Sequence, residues 1–153
     1  MRRSRAALLL VWISLAVSRP AAAAMNCSIS LSPFAFGNYA QGNAAPLDVT
    51  GQIGVRCTGS AGAFVAEISA GGSGTFAQRQ MLSGPYRLGY NFYLNASRTA
   101  VWGDGTGGSQ VGGGVKSQPG QQTFTLPVYG RVFPRQSVGA GAYRDDVLVT
   151  IVF

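Results

Sequence analysis

Apolar and polar residues alternate with a period of two along most of the chain after residue 26. Cys27, Ile29 and Leu31 lie on one face of a predicted first strand, and Ile53, Val55 and Cys57 lie on one face of a later strand. Similar stripes follow: Phe64, Ala66 and Ile68; Leu88, Tyr90, Phe92 and Leu94; Phe124, Leu126 and Val128; and Val147, Val149, Ile151 and Phe153 in the last strand. No helical period interrupts them. Short strands with Gly, Pro, Ser and Asn clusters between them predict an all-β sandwich of two sheets.

The first 24 residues have a different pattern. Arg2, Arg3 and Arg5 precede an apolar stretch over residues 6–17, and small residues follow as far as Ala24. This order is typical of a secretory signal peptide, and the apolar stretch is too short for a stable membrane anchor. We therefore predict cleavage after Ala24, general secretion, and one mature domain over residues 25–153.

Charge argues against a nucleic-acid partner. The chain has 12 basic and 5 acidic residues, but four of the basic ones lie in residues 1–24, which leaves a net charge of +3 in the mature domain. Nucleic-acid binding requires basic residues clustered on one face. The remaining arginines are scattered, and we predict ordinary solvated positions for all of them: Arg56, Arg79, Arg87, Arg98, Arg131, Arg135 and Arg144.

The two cysteines of the chain are Cys27 and Cys57. In an exported protein an isolated pair predicts one structural disulfide. Both residues are in phase with the apolar stripes of their strands, so we expect the bridge to join two strands through the core. Two free buried thiols would require a reducing compartment, which the signal peptide contradicts.

Catalytic chemistry has little support in the composition. The chain has no histidine, which removes Ser-His and Cys-His nucleophiles and the commonest zinc ligand. A glycoside hydrolase built on two carboxylates stays as an alternative if Asp48, Glu67 or Asp104 converge in a cleft. Asp145 and Asp146 are adjacent in a predicted strand and would point to opposite faces. We predict no catalytic residue.

A glycine-rich run, WGDGTGGSQVGGGVKS, spans residues 102–117. A phosphate loop needs glycine where Val115 stands, and a calcium loop needs several carboxylates where Asp104 stands alone. We therefore predict no metal and no cofactor at this run. Asp104-Gly105 suits a tight hairpin turn, followed by a flexible surface loop.

Five stretches resemble one protein family. They are FAFGNY at 34–39, GQIGVRC at 51–57, LGYNFYLNASRTAVWGDGTGG at 88–108, YGRVF at 129–133 and GAYRDDVLVTIVF at 141–153. Together and in this order they resemble the spore coat protein U domain, a family that includes subunits of the archaic chaperone-usher pili of Gram-negative bacteria. The resemblance covers essentially the whole mature domain.

The resemblance implies an immunoglobulin-like sandwich that lacks its last strand and so has an open apolar groove. A periplasmic chaperone lends a strand to the groove during export, and a neighbouring pilus subunit later replaces it. The implied partners are that chaperone, an outer-membrane usher and other subunits, and the implied location is the cell surface or the medium, reached through the periplasm. The expected groove lining is Ile29, Leu31, Val147, Val149, Ile151 and Phe153. The alternative is that these residues belong to the core of a closed sandwich.

One departure from the family pattern concerns the segment before Cys27. A polymerising subunit carries a long alternating apolar extension there, whereas Met25 and Asn26 alone separate Ala24 from Cys27. The expected roles are therefore a tip or terminal subunit, or a lone secreted member, unless cleavage occurs earlier than Ala24. A free-standing secreted binding module, such as a carbohydrate-binding or coat component, is the alternative function.

Overall fold

The computed structural model describes residues 23–153, and these residues form an antiparallel β-sandwich. The strands are β1 (Asn26–Leu31), β2 (Leu47–Thr58), β3 (Gly62–Ile68), β4 (Arg79–Ser83), β5 (Tyr86–Tyr93), β6 (Gly112–Lys116), β7 (Gln122–Val132) and β8 (Val149–Val152). A single 3₁₀ turn, Gly71–Ser73, is the one helical element of this part of the chain. The predicted fold class is confirmed, although the last strand is shorter than the apolar pattern of residues 147–153 predicted.

The two sheets have five and three strands. Their orders are β1-β2-β7-β5-β4 and β6-β3-β8, and every ladder is antiparallel. The predicted stripes of β2, β3, β5 and β7 supply the core between them; its members include Ile53, Val55, Phe64, Ala66, Ile68, Leu88, Tyr90, Phe92 and Val128. Residues 23–153 contain no helix that is long and apolar enough to cross a membrane. The predicted signal peptide lies outside the described residues except for Ala23 and Ala24, and it stays a prediction.

The predicted disulfide between Cys27 and Cys57 is confirmed. The two residues lie directly opposite each other in the β1–β2 ladder, with their Cα atoms 4.1 Å apart. Cys57 is fully buried. The bridge therefore ties the edge strand β1 to the central part of its own sheet, on the core side.

Arg79 contradicts its predicted solvated position, because its side chain is completely buried. The guanidinium donates hydrogen bonds to the carbonyl oxygens of Ser69 (2.9 Å), Ile68 (3.1 Å) and Trp102 (2.8 Å), and to Oδ1 of Asn91. Desolvation lowers the pKa of Arg79. Folding thus supplies carbonyl acceptors from distant parts of the chain, which no local sequence pattern indicates.

The glycine-rich run is more ordered than the sequence predicted. The turn of this run lies at residues 106–109 and is closed by the hydrogen bond from Ser109 N to Thr106 O (2.8 Å). The turn predicted at Asp104-Gly105 is therefore wrong. Asp104 instead accepts hydrogen bonds from the backbone and side chain of Thr106. The second half of the run forms β6, and Lys116 at its end is buried. Its ammonium group donates to three backbone carbonyl oxygens, those of Gly59, Ser60 and Gln118.

Candidate functional site

An open side of the sandwich lies between β1 and β8. These strands approach within 8 Å between Cα atoms, yet no ladder joins them. Within residues 23–153, β1 pairs with β2 alone and β8 pairs with β3 alone. Both strands therefore present one row of backbone groups without a ladder partner from this part of the chain. Such an edge is a template for pairing with another strand.

The inward-facing residues of these two strands are incompletely covered. Ile29 lies opposite Val55, which is fully buried, but Ile29 itself is 36% exposed. On the other strand, Val149 and Ile151 lie opposite the buried residues Ile68 and Ala66 and are only half-buried. The side chains on this side of the core thus face solvent where a sandwich normally has a covering strand.

Residues after β1 continue the same side of the opening. Phe34 packs edge-on against Phe92, with ring centroids 5.1 Å apart, and Phe36 packs edge-on against Tyr90 at 5.5 Å. Both rings lie over Gly130 of β7, where a Cβ atom would come within 2.7 Å of each of them. The absence of a side chain at Gly130 therefore creates the space that the two rings occupy.

Residues before β8 form the opposite side. Asp145 accepts a hydrogen bond from the hydroxyl of Tyr90 (2.7 Å) and another from the backbone N–H of Gly72 (2.8 Å). Burial, followed by the hydrogen bond to Asp145, raises the pKa of Tyr90. The hydroxyl is therefore protonated and donates, which anchors this segment to β5.

Two adjoining cavities lie between these segments. The larger has a volume of about 850 Å³ and the smaller about 350 Å³, and both are lined by Phe34, Phe36, Met81 and Tyr143. We call this whole opening the edge groove. We name as its first wall β1 with residues 32–43, and as its second wall residues 134–148 with β8. Within these walls, residues between 34 and 41 and residues 138–147 line the cavities, and the floor includes Leu88, Tyr90, Phe92 and Val132.

Of the predicted lining residues, Val147 lines the smaller cavity, and the others lie on β1, on β8 or directly after β8, so their role in lining a strand site stays a prediction. Ile29, Leu31 and Phe153 are exposed, whereas Val147, Val149 and Ile151 are half-buried against the core. The phenylalanines of the first wall were missing from the predicted set. Leu31 and Phe34 are three residues apart, with Pro33 between them. The two-residue period of β1 therefore does not reach Phe34 or Phe36. Their presence in the FAFGNY stretch was the available signal.

The carboxylates do not gather into a metal site. Residues 23–153 contain no group of three His, Cys, Asp or Glu side chains that could hold an ion. Asp48 is engaged by Arg131 through two hydrogen bonds of 2.7 and 2.8 Å. Asp145 and Asp146 precede β8 and both line the smaller cavity, so the predicted opposite faces do not apply to them.

Comparisons with known proteins find a matching family model and a solved structure with a similar fold. The family model of the Spore Coat Protein U domain matches residues 11–150, a range that begins inside the predicted signal peptide. No curated protein matches the sequence.

One solved structure with a similar fold is the crystal structure of the CsuC-CsuE chaperone-tip adhesion subunit pre-assembly complex, from archaic chaperone-usher Csu pili of Acinetobacter baumannii. The matched chain is 22% identical with a TM-score of 0.56, and the match covers 84% of this chain and 40% of that chain. This chain therefore spans less than half of the matched chain, and the likeness is one of fold.

Proposed function

We propose, since the chain belongs to the Spore Coat Protein U domain family, that it is an exported structural subunit of a pilus or surface coat whose edge groove accepts a β-strand from another chain. One observation carries this proposal: β1 and β8 are neighbouring edge strands whose inward-facing side chains are incompletely covered, and no ladder joins them. A strand in the groove would pair with both edges and cover those side chains. The role is structural and not catalytic.

The energetics favour occupation of the groove. An apolar side chain that moves from solvent to full burial contributes roughly 1.5–3 kcal/mol. Ile29, Leu31 and Phe153 are 36%, 57% and 53% exposed, so each has part of this stabilisation still to gain. An inserted strand also satisfies backbone groups that otherwise depend on water.

Insertion requires the two edges to move apart. Adjacent strands in a sheet lie about 4.8 Å apart, so a strand between two others needs about 10 Å. The Cα atoms of β1 and β8 approach within 8 Å. The edges must therefore part by about 2 Å or more at their nearest approach, which makes the filled and the open domain distinguishable in solution.

The proposed partners are a periplasmic chaperone, an outer-membrane usher and other subunits. The matched complex from Acinetobacter baumannii contains a chaperone and a tip adhesion subunit. By this analogy the chaperone lends the strand first and another subunit replaces it. The route then leads through the periplasm to the cell surface.

Hydrogen exchange of single amides tests strand acceptance. Ser69 donates its N–H to the carbonyl of Leu148 (2.8 Å). Because bonded and non-bonded pairs alternate along an antiparallel ladder, Thr150 is then bonded to β3, whereas the N–H groups of Val149 and Ile151 point away from β3, toward the groove.

The probe is a synthetic peptide of about twelve residues that alternates Thr and Val. We expect its addition to slow exchange at Val149 and Ile151 by tenfold or more, and to change exchange at Thr150 much less. A peptide of the same composition with its valines in one block is the control. Unchanged exchange at all three amides would refute strand acceptance and favour the free-standing binding module.

A further inference from the structure

The two walls of the edge groove are bonded to each other at one end. Three hydrogen bonds cross between them: Gln136 N donates to the hydroxyl of Tyr39 (2.8 Å), Gln41 Nε2 donates to Ser137 Oγ (2.9 Å), and Arg135 N donates to Asn43 O (3.0 Å). We call these three contacts the clasp. The clasp lies next to the larger cavity, whose lining includes Tyr39, Gln41 and Val138.

Gln136 also fixes the clasp to the floor of the groove. Its side-chain carbonyl accepts the N–H of Gly89 (2.6 Å), and its side-chain amide donates to the carbonyl oxygens of Gly89 (2.9 Å) and Phe133 (2.8 Å). The side chain thus bonds to both backbone groups of Gly89 as a neighbouring strand would. The clasp is therefore held to β5 and is not a loose contact between two loops.

The opposite end of the groove has no such contact between the walls in the described residues. There β1 and β8 lie beside each other without a ladder, and Phe153 is 53% exposed. The groove is consequently open at the end formed by Phe153 and closed at the end formed by Tyr39 and Gln136.

We propose that the clasp is a register stop, which fixes how far an inserted strand extends along the groove and hence which of its residues face the floor. This inference rests on the proposed strand acceptance. A slip of one residue turns every side chain of a strand to the opposite face, so correct register is essential where one face is buried. Residues of an inserted strand that extend beyond the clasp must leave the groove, so they bury no further apolar surface.

A length series of peptides tests the register stop. Alternating Thr-Val peptides from about six to about sixteen residues are added to the mature domain, and the thermal unfolding midpoint is recorded for each. The test variant combines Tyr39→Phe, Gln41→Ala and Ser137→Ala, which removes the side-chain contacts of the clasp. Gln41→Ala alone, at an exposed position, serves as a milder second variant.

The matched control is Thr99→Val. It removes a hydroxyl that accepts a hydrogen bond from the side-chain amide of Asn95 (2.7 Å), outside both walls and both cavity linings, and so leaves the contact between the walls intact. In the wild-type domain and in Thr99→Val, we expect the midpoint to rise with peptide length and then stop at the same length. In the clasp variant we expect the rise to continue for about two further residues, one repeat of the strand.

The outcomes separate the two proposals. If the wild-type domain, the control and both clasp variants reach their plateau at the same peptide length, the register stop is refuted and strand acceptance is retained. If no peptide of any length raises the midpoint of the wild-type domain, strand acceptance itself is refuted, and the register stop with it.

Discussion

Leu31 of β1 lies directly opposite Ile53 of β2, yet Leu31 is 57% exposed whereas Ile53 is 4% exposed. Residues that face each other across an antiparallel ladder point to the same side of the sheet. Both side chains therefore point to the core, and only one of them is covered. The inner face of β2 belongs to the buried core, whereas β1 is left largely open, and this difference is the physical basis of the edge groove.

Truncation at these two positions should have unequal effects. We expect Ile53→Ala to lower the free energy of unfolding by about 2–5 kcal/mol, because it leaves a cavity in the core. Leu31→Ala should cost under about 1 kcal/mol in the free domain, because more than half of that side chain already contacts water. Urea unfolding of both variants measures this contrast. Equal losses would mean that Leu31 is part of a closed core.

The disulfide should contribute a large part of the stability. Cys27 and Cys57 are 30 residues apart in the chain, and in the chain-entropy model a loop of this length is worth roughly 3–4 kcal/mol. We expect the double variant Cys27→Ser with Cys57→Ser to lose about that amount in urea unfolding. Reduction of the wild-type protein provides the control, and a loss below about 1 kcal/mol in both would contradict the expectation.

Gly130 should be intolerant of a side chain. A Cβ atom there would come within 2.7 Å of the rings of Phe34 and Phe36, so Gly130→Ala should cost about 1–3 kcal/mol through overpacking. The variant Phe34→Leu removes one of these rings. We expect Gly130→Ala to cost less in the Phe34→Leu background than in the wild type, and additive losses would show that the ring does not occupy the space over Gly130.

Acid should weaken the domain partly through Asp48. The hydrogen bond from Arg131 lowers the pKa of Asp48, despite an opposing effect of desolvation. A carboxyl whose folded pKa lies below its unfolded value of about 3.9 stabilises the fold above that value, and the contribution is lost as the pH falls through the folded pKa.

We therefore expect Asp48→Asn to flatten the decline of stability below about pH 4. Arg131→Gln should flatten it as well, because it removes the main cause of the lowered pKa. Urea unfolding at several pH values measures the slope, and a wild-type slope in both variants would exclude this ion pair as a source of acid sensitivity.

Periodicity was sufficient to predict the sandwich and the core stripes, because both depend on which face of a strand a residue occupies. The disulfide was predicted from an isolated cysteine pair in an exported chain, and periodicity added that both cysteines share the phase of the core stripes. Charge was a poor guide to burial. Arg79 and Lys116 are buried because backbone carbonyl oxygens converge on them after folding, and a backbone acceptor has no signature in the sequence.

The walls of the groove show a second limit of sequence reasoning. Phe34 and Phe36 lie outside the stripe of β1 because Pro33 interrupts the period. The clasp joins Tyr39 to Gln136, which are 97 residues apart, through one backbone N–H and one hydroxyl. Contacts of this kind depend on where two irregular segments meet in space, and neither local propensity nor spacing predicts them.

Fusion of a donor strand to the C-terminus tests the central claim most directly. The mature domain is extended by a flexible Gly/Ser linker and an alternating Thr-Val strand, and a control carries the same residues with the valines in one block. The claim predicts that the alternating strand raises the thermal midpoint by about ten degrees or more and keeps the domain monomeric, because several side chains become buried at once. Ile151→Asp should abolish the gain, whereas Thr150→Asp on the outer face should largely preserve it. Equal midpoints for the unfused domain and both fusions, with all three monomeric, would contradict the claim and show that the sandwich is already complete.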